Sequence, residues 1–235
     1  MDDSAANRNQ SETRQTDHTI SPDATAIIEA ALMHVPFDGW TMGALEAGAS
    51  DAGFSATDVG THFPGGPIDA VIAHSAIADQ NMLAAFAAMD PAPEKIHLVI
   101  RTLILIRLEQ AAMHKEAVRR ALTLLALPAN AIVSGKALYR TVDAMWRAAG
   151  QRDTDFSFYT KRATLAGVYS ATLLAWIADT SGDMNTVEAF LDRRLKDVAR
   201  IPQASAPLKS VFGMGQKMAA SVAGVMAQRA GRSGR

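Results

Sequence analysis

The chain has 235 residues, a net charge of −1 and no cysteine. Without cysteine it can form no disulfide, no thiolate nucleophile and no thiolate metal site. Hydrophobic residues make up 49 % and charged residues 20 %, which is typical of a globular protein with a substantial buried core. Aromatic residues are only 6 %, whereas Ala, Leu and Met are plentiful, and this mixture favours helix throughout.

The charge is unevenly distributed along the chain. Between Gln15 and Glu94 there are eleven Asp or Glu and no Lys or Arg, whereas Arg200 to Arg235 contains six Lys or Arg and no acid. Such asymmetry indicates different partners at the two ends. Residues 1–20 are polar, lack the apolar region of a secretory signal and carry more acids than a mitochondrial presequence. We therefore expect a disordered polar tail there.

Residues 21–66 are predicted to form a helix-turn-helix-like unit. Ser21-Pro22-Asp23 is typical of a helix start, and Pro36 is expected to end this first helix near Gly39. Two further helices are predicted over about 41–50 and 55–62, with Gly53 in the turn between them. Non-specific DNA binding needs Lys and Arg to neutralise phosphates, and this unit has none. We therefore expect no nucleic-acid partner.

Residues 67–200 are predicted to form a helical bundle, because no segment alternates like a strand over more than a few residues. Apolar residues cover more than half the circumference of the helix predicted over about 94–113, which is typical of a central position. The uncharged stretch Ala163–Ala178 would span roughly 24 Å, short of the ~30 Å hydrocarbon core of a bilayer, and is predicted to be a buried helix. The fold class is all-α.

The sequence offers no catalytic site. Glu94-x-x-His97 has the spacing of one di-iron ligand pair, but such a site needs a second Glu-x-x-His, and none exists. There is also no nucleophile motif, phosphate loop or dinucleotide fingerprint. We expect a protein that is not an enzyme and has no metal or cofactor.

One stretch combines aromatics, Met, Arg and acids in the composition of a protein-binding hot spot. Four of its residues fall at i, i+3, i+4 and i+7, on one stripe of a helix. The alternative is that the aromatics belong to the core and Asp155 caps a helix, and the pattern does not decide between the two. The candidate partner-binding residues are Asp143, Met145, Trp146, Asp155, Phe158, Tyr159 and Arg162.

The C-terminal part is predicted to contain a linker over 201–206, an amphipathic helix over 207–229 and a basic tail over 230–235. The helix is basic and acid-free, which fits an anionic membrane interface; docking on its own domain or on a second copy fits equally well. The candidate membrane-binding residues are Leu208, Lys209, Val211, Phe212, Lys217, Met218, Val222 and Met226.

The segment DAMWRAAGQRDTDFSFYTKRATLAGVYSATLLAWIADTSGD, followed by FLDRRLKDV, closely resembles the ubiquinone-biosynthesis accessory family, the ninth of the Coq proteins. AALMHVPFDGW and HKEAVRRALTLLALP are also similar to its bacterial members. The resemblance extends from about Ala24 to Val198.

This resemblance implies a TetR-like helical bundle with an N-terminal helix-turn-helix-like unit and a C-terminal amphipathic helix, paired as a homodimer without DNA-binding function. A ligand-responsive transcription regulator of TetR type is the alternative that the fold suggests. The family resemblance further implies a non-catalytic protein that binds an isoprenoid or other lipid among its central helices. Such a protein presents a quinone intermediate to the di-iron demethoxyubiquinone hydroxylase.

The same resemblance assigns roles to both candidate surfaces. It implies that the seven candidate partner-binding residues meet the hydroxylase, and that Pro207–Arg229 touches the membrane. Phe158 stands where the family commonly has Trp. Phe keeps an aromatic ring but lacks the indole N–H. The acidic N-terminus favours a bacterial cytoplasmic protein that is peripheral at the inner membrane.

Overall fold

The computed structural model describes residues 20–150 and 157–200. Within these ranges the chain forms ten α-helices and no strand, which confirms the predicted all-α class. The helices are α1 Pro22–Ala31, α2 Val35–Asp38, α3 Met42–Asp51, α4 Ala56–His62, α5 Pro67–Ala87, α6 Ile96–Gln110, α7 Lys115–Leu125, α8 Ala131–Ala148, α9 Ser157–Ala178 and α10 Met184–Arg200. The predicted linker, C-terminal amphipathic helix and basic tail lie outside the described residues, as does the predicted N-terminal tail up to residue 19. Ile20, which was placed in that tail, packs against the core.

The start of the first helix was predicted correctly, but its end was wrong. The Ser21 hydroxyl accepts a hydrogen bond from the Ala24 backbone N–H at 3.1 Å, as an N-cap residue should. However, α1 ends at Ala31, and Pro36 lies in the first turn of α2. Proline is tolerated there because the N–H that it lacks has no acceptor in the first turn of a helix.

Helices α1, α3 and α4 form the helix-turn-helix-like unit, with Ile27, Leu45 and Val59 fully buried between them. α1 and α3 approach so closely that a Cβ at Gly48 would overlap the Ala31 backbone. Gly53 adopts φ +82° in the turn before α4, a conformation that favours glycine. Helix α1 also packs against α5, which joins this unit to the bundle.

The bundle is built around α5, α6, α8 and α9, and α6, which was predicted to be central, packs chiefly against α5 and also contacts α8 and α9. Ion pairs attach α10 to α6: the Arg101 guanidinium lies 2.8 Å from the Glu188 carboxylate and 2.6 Å from that of Asp192. At the end of α9, the side chain of Arg119 donates to the Ile177 carbonyl at 3.0 Å and that of Lys115 donates to the Asp179 carbonyl at 2.6 Å. These cations satisfy carbonyls that a helix end leaves without partners.

No single helix in the described part of the chain is long and apolar enough to cross a membrane. The pair Ala112–Leu125 and Pro128–Ala148 passes a length and composition test together, but it is bent by 89° at the break between them.

Candidate functional site

A cavity of about 710 Å³ lies among α1, α5, α6, α7, α8 and α9. Most of the side chains that line it are apolar, among them Leu32, Leu122, Leu125, Leu138, Leu173 and Leu174. Leu174 is 59 % exposed although it lines the cavity, so the cavity reaches the protein surface beside this residue. The arrangement suits an elongated apolar ligand that enters from the surface.

One wall of the cavity is polar and is organised around Arg107 of α6. The buried guanidinium lies 2.9 Å from the Asp79 carboxylate, measured from Nη1 to Oδ1. Its Nε donates to the Tyr169 hydroxyl oxygen at 2.8 Å, and its Nη2 donates to the Ser75 hydroxyl at 3.2 Å. Nε and Nη2 of Arg107 therefore donate hydrogen bonds, whereas Nη1 faces Asp79 as an ion pair without hydrogen-bond geometry. Together these contacts hold the charge beside the cavity.

Asp79 of α5 is the anion that balances this wall. It also accepts from Nε of Arg140 at 3.1 Å and from the Thr141 hydroxyl at 3.0 Å. Burial of Arg107 opposes its charged form, but the pKa is raised above its ordinary value because Tyr169 and Asp79 outweigh that desolvation. Desolvation of a buried ion pair is costly, and here it is offset by the hydrogen bonds around the pair. Asp79 Oδ1 and Arg107 Nη1, which face each other, form no hydrogen bond with the described residues.

His74 of α5 is the second titratable group that lines the cavity. Its pKa is lowered to about 4, chiefly by desolvation and further by the positive charges of Arg107 and His114. The ring centroid lies 5.5 Å from that of Trp40. At neutral pH the imidazole is therefore uncharged, with one nitrogen able to donate and the other able to accept a hydrogen bond.

The structure brings part of the predicted partner-binding group together, but inside the protein rather than on its surface. Arg162 of α9 is only 4 % exposed and donates from Nε to Oδ1 of Asp143 at 2.8 Å, and its Nη2 lies 2.7 Å from the same oxygen in an ion pair. Asp143 also pairs with Nε of Arg147 at 2.7 Å. Met145 is fully buried. Arg162 and Asp143 thus join α9 to α8, and docking through these two residues and Met145 remains a prediction.

The other members of that group have different environments. Tyr159 is 71 % exposed in the first turns of α9. Trp146 is partly buried, and its indole N–H is enclosed without an acceptor among the described residues. Asp155 and the side chain of Phe158 lie outside the described part of the structure. Among the candidate partner-binding residues whose side chains the structure describes, Tyr159 is therefore the one most available to a partner. The eight candidate membrane-binding residues, from Leu208 to Met226, all lie outside the described residues.

The Glu94/His97 pair is not arranged as a helical ligand pair. Glu94 precedes α6, which begins at Ile96, and both side chains are exposed. Within residues 20–150 and 157–200, no group of three or more His, Asp or Glu is placed to hold a metal ion.

The sequence interpretation missed the polar wall of the cavity. Its members come from α5, α6 and α9, so no local motif joins them. A signal was nevertheless present: Arg107 falls in the apolar run ILIRL, and Asp79 falls in an alanine-rich helix. Buried charges of this kind require a partner, and each could have pointed to the other.

The COQ9 family model matches residues 131–202, which include α8 and α9. Rat "Ubiquinone biosynthesis protein COQ9, mitochondrial" is 32 % identical over 193 residues, covering 78 % of this chain and 61 % of the rat protein. The human protein of the same name is 30 % identical, with 78 % and 60 % covered. The Schizosaccharomyces pombe protein is 29 % identical, with 75 % and 70 % covered.

The chain thus spans about three fifths of the length of these animal relatives. Among solved structures, a TetR transcriptional regulator from Nitrosomonas europaea matches with a TM-score of 0.59 and 22 % identity, covering 76 % of this chain and 99 % of that protein. This match confirms the predicted TetR-like fold.

Proposed function

Because this chain belongs to the COQ9 family, we propose that it is a non-catalytic, lipid-binding accessory protein of ubiquinone biosynthesis. In this role it binds an isoprenoid quinone intermediate and presents it to the di-iron demethoxyubiquinone hydroxylase. A polyprenyl chain is nearly insoluble in water, so its transfer to an active site requires a shielded apolar path. The observation that carries the proposal is the 710 Å³ cavity among the bundle helices.

The size and lining of the cavity support this role. Small-molecule sites have volumes of about 300–1,000 Å³ and are mostly apolar with a few placed polar groups. Here the apolar wall accommodates an isoprenoid chain, and the wall around Arg107 supplies the polar groups. The exposed Leu174 marks the place where a chain longer than the cavity would leave it.

Helix α9 supports the second part of the proposal, because it serves both the cavity and the candidate docking surface. Its residues Tyr169 and Trp176 line the cavity, whereas Tyr159 is exposed nearer its beginning. Ten residues of α-helix correspond to roughly 15 Å, so the docking surface would lie about this far from the polar wall. A partner bound at Tyr159 would be near the ligand that it receives.

We also propose that the protein acts as a homodimer. It binds a membrane surface, the bacterial inner membrane, through the helix predicted over 207–229. The basic, acid-free composition of this segment supports attraction to anionic lipid. Deletion of residues 207–235 should reduce sedimentation with anionic vesicles. Unchanged sedimentation would exclude this segment as the membrane contact.

The TetR-like fold supports one rival, a ligand-responsive transcription regulator. Charge argues against it, because residues 15–94 contain no Lys or Arg for phosphate neutralisation. In addition, Asp58 occupies the first turn of α4, where it forms a capping box with Ser55. We expect no salt-dependent retention on duplex DNA, and such retention would favour the regulator.

The test of lipid binding is extraction of the full chain after purification from its native host, followed by mass spectrometry of the extract. Wild-type protein should carry an isoprenoid lipid. Leu138→Trp should lose it, because the larger ring occupies the cavity that Leu138 lines.

Leu127→Trp is the matched control, since Leu127 is 49 % exposed and does not line the cavity. It should retain lipid at the wild-type level. Wild-type protein that is always free of lipid, or equal lipid in both variants, would contradict binding in this cavity.

A further inference from the structure

The polar wall of the cavity has an unused hydrogen-bond donor at Tyr169. This side chain is only 6 % exposed and lines the cavity. Its hydroxyl oxygen accepts a hydrogen bond from Nε of Arg107 at 2.8 Å. Within the described part of the chain, no acceptor receives the hydroxyl proton, although a buried hydroxyl ordinarily has one. The guanidinium that binds the oxygen also polarises the O–H bond, which strengthens it as a donor.

His74 is the second group on this wall with unused hydrogen-bonding capacity. His74 lines the cavity, and its ring forms no hydrogen bond with any of the described residues. The positive charge of Arg107 contributes to lowering the pKa of His74, so the imidazole lies within electrostatic range of the same guanidinium. The neutral imidazole can either donate to or accept from a ligand, so His74 and Tyr169 each offer a polar contact at the cavity.

The charges of this wall select a neutral ligand over an anionic one. An anion such as a phosphate would require a cation with free donors. The charge of Arg107 is instead balanced by the Asp79 carboxylate 2.9 Å away, and its Nε and Nη2 donate to Tyr169 and Ser75. Its remaining nitrogen, Nη1, is buried against Asp79. His74 adds no charge at neutral pH, since burial lowers its pKa to about 4.

We propose that Tyr169 and His74 form a head-group site inside the cavity, where the Tyr169 hydroxyl donates to a neutral ring oxygen of the bound lipid, a quinone carbonyl or a phenol. This inference rests on the proposed lipid-binding function and assigns the direction of the ligand. The ring lies against α5, α6 and α9 beside Arg107, and the apolar chain follows the leucine-lined wall toward Leu174. The head group is thereby identified by hydrogen bonds rather than by charge.

The experiment compares three probes by isothermal titration calorimetry on the full-length chain: decylbenzoquinone, decylbenzene and decyl phosphate. Decylbenzene has the ring and the chain without the oxygens, so the difference between it and the quinone reports the oxygen contacts alone. Wild-type protein should bind the quinone more tightly than either of the other two. Tyr169→Phe should weaken quinone binding about fivefold and leave decylbenzene binding unchanged, as expected for the loss of one hydrogen bond.

Two further variants complete the design. Tyr139→Phe removes the same hydroxyl from a residue that does not line the cavity, and it should bind all three probes like the wild type. His74→Leu should also weaken quinone binding selectively. It decides the outcome if Tyr169→Phe lowers the melting temperature, because the lost hydroxyl is also a partner of Arg107.

The results separate the two proposals. If the wild type binds the quinone and decylbenzene equally, or if His74→Leu and a folded Tyr169→Phe keep wild-type quinone affinity, the head-group site is wrong while lipid binding stands. Tighter binding of decyl phosphate that depends on these residues would reassign the site to anionic lipids. If none of the three probes binds the wild type, the lipid-binding function fails as well.

Discussion

Two buried arginines in this protein perform different tasks. Arg162 joins α9 to α8 through an ion pair with Asp143. The exposed side chain of Arg147 pairs with the same carboxylate. Arg107 joins α6 to α5 through Asp79, but it also holds Tyr169, whose hydroxyl lines the cavity. The first cluster connects two helices. The second connects four helices, because Asp79 also accepts from Arg140 and Thr141 of α8, and it includes a residue that lines the cavity.

The comparison shows that a buried ion pair alone does not identify a binding site. What distinguishes the Arg107 cluster is a polar group that remains available after the charges have been matched. Tyr169 and His74 meet this criterion at the cavity. In the Arg162 cluster, the residue available to a partner is Tyr159, which lies on the same helix but is exposed to solvent.

Removal of Arg107 should have the largest effect on stability. Arg107→Met leaves Asp79 buried beside Arg140 and Thr141 only, and it deprives Tyr169 and Ser75 of their donor. Loss of one member of a buried ion pair costs about 4 kcal/mol, measured as the free energy of unfolding in urea. Arg101→Met is the control, because its ion pairs with α10 are partly exposed and should cost about 1 kcal/mol or less. Equal losses in the two variants would contradict the central role of Arg107.

The second effect is a dependence of stability on pH that comes from His74. Its pKa in the folded protein is about 4, below the ordinary value of 6.5, so the unfolded chain binds the proton more readily. The free energy of unfolding should therefore fall as the pH falls from about 6.5 to about 4, by a total on the order of 3 kcal/mol from this residue.

Urea unfolding at a series of pH values measures this dependence. His74→Leu should lack this component while it retains the contributions of all other groups, so the difference between the two curves belongs to His74. Parallel curves over this pH range would show that the imidazole is not desolvated in the folded protein.

The helices could be predicted well from the sequence because their ends are local events. Ser55 with Asp58 caps α4, Gly53 turns the chain before it, and Pro67 begins α5. The end of α1 was missed since Pro36 is compatible with both a helix end and a first helical turn, and only packing decides between them.

The site could be predicted only in part, because helical spacing gives the phase of a residue but not what covers it. The spacing places Tyr159 and Arg162 on one stripe of α9, yet Tyr159 is exposed and Arg162 is buried against Asp143 of α8. The cavity is harder still, since His74, Arg107 and Tyr169 come from three helices separated by about thirty and sixty positions. No local pattern determines that these helices enclose a space rather than pack in contact.

The smallest expected effect on stability belongs to Tyr159, and it distinguishes a docking residue from a structural one. Because its side chain is 71 % exposed, Tyr159→Ala should change the free energy of unfolding by no more than about 0.5 kcal/mol. Arg162→Met, on the same stripe, should cost about 2 kcal/mol, because it removes charged hydrogen bonds to Asp143 that are mostly buried.

Pull-down of the hydroxylase with these variants then tests the proposed contact. Tyr159→Ala should lose most of the hydroxylase while remaining folded, since an exposed aromatic ring is a common anchor of protein interfaces. Tyr139→Ala, which removes another exposed ring from α8, is the control and should retain it. If Tyr159→Ala retains the hydroxylase and only the destabilised Arg162→Met loses it, the binding loss reflects weakened α8–α9 packing, and the contact must lie elsewhere.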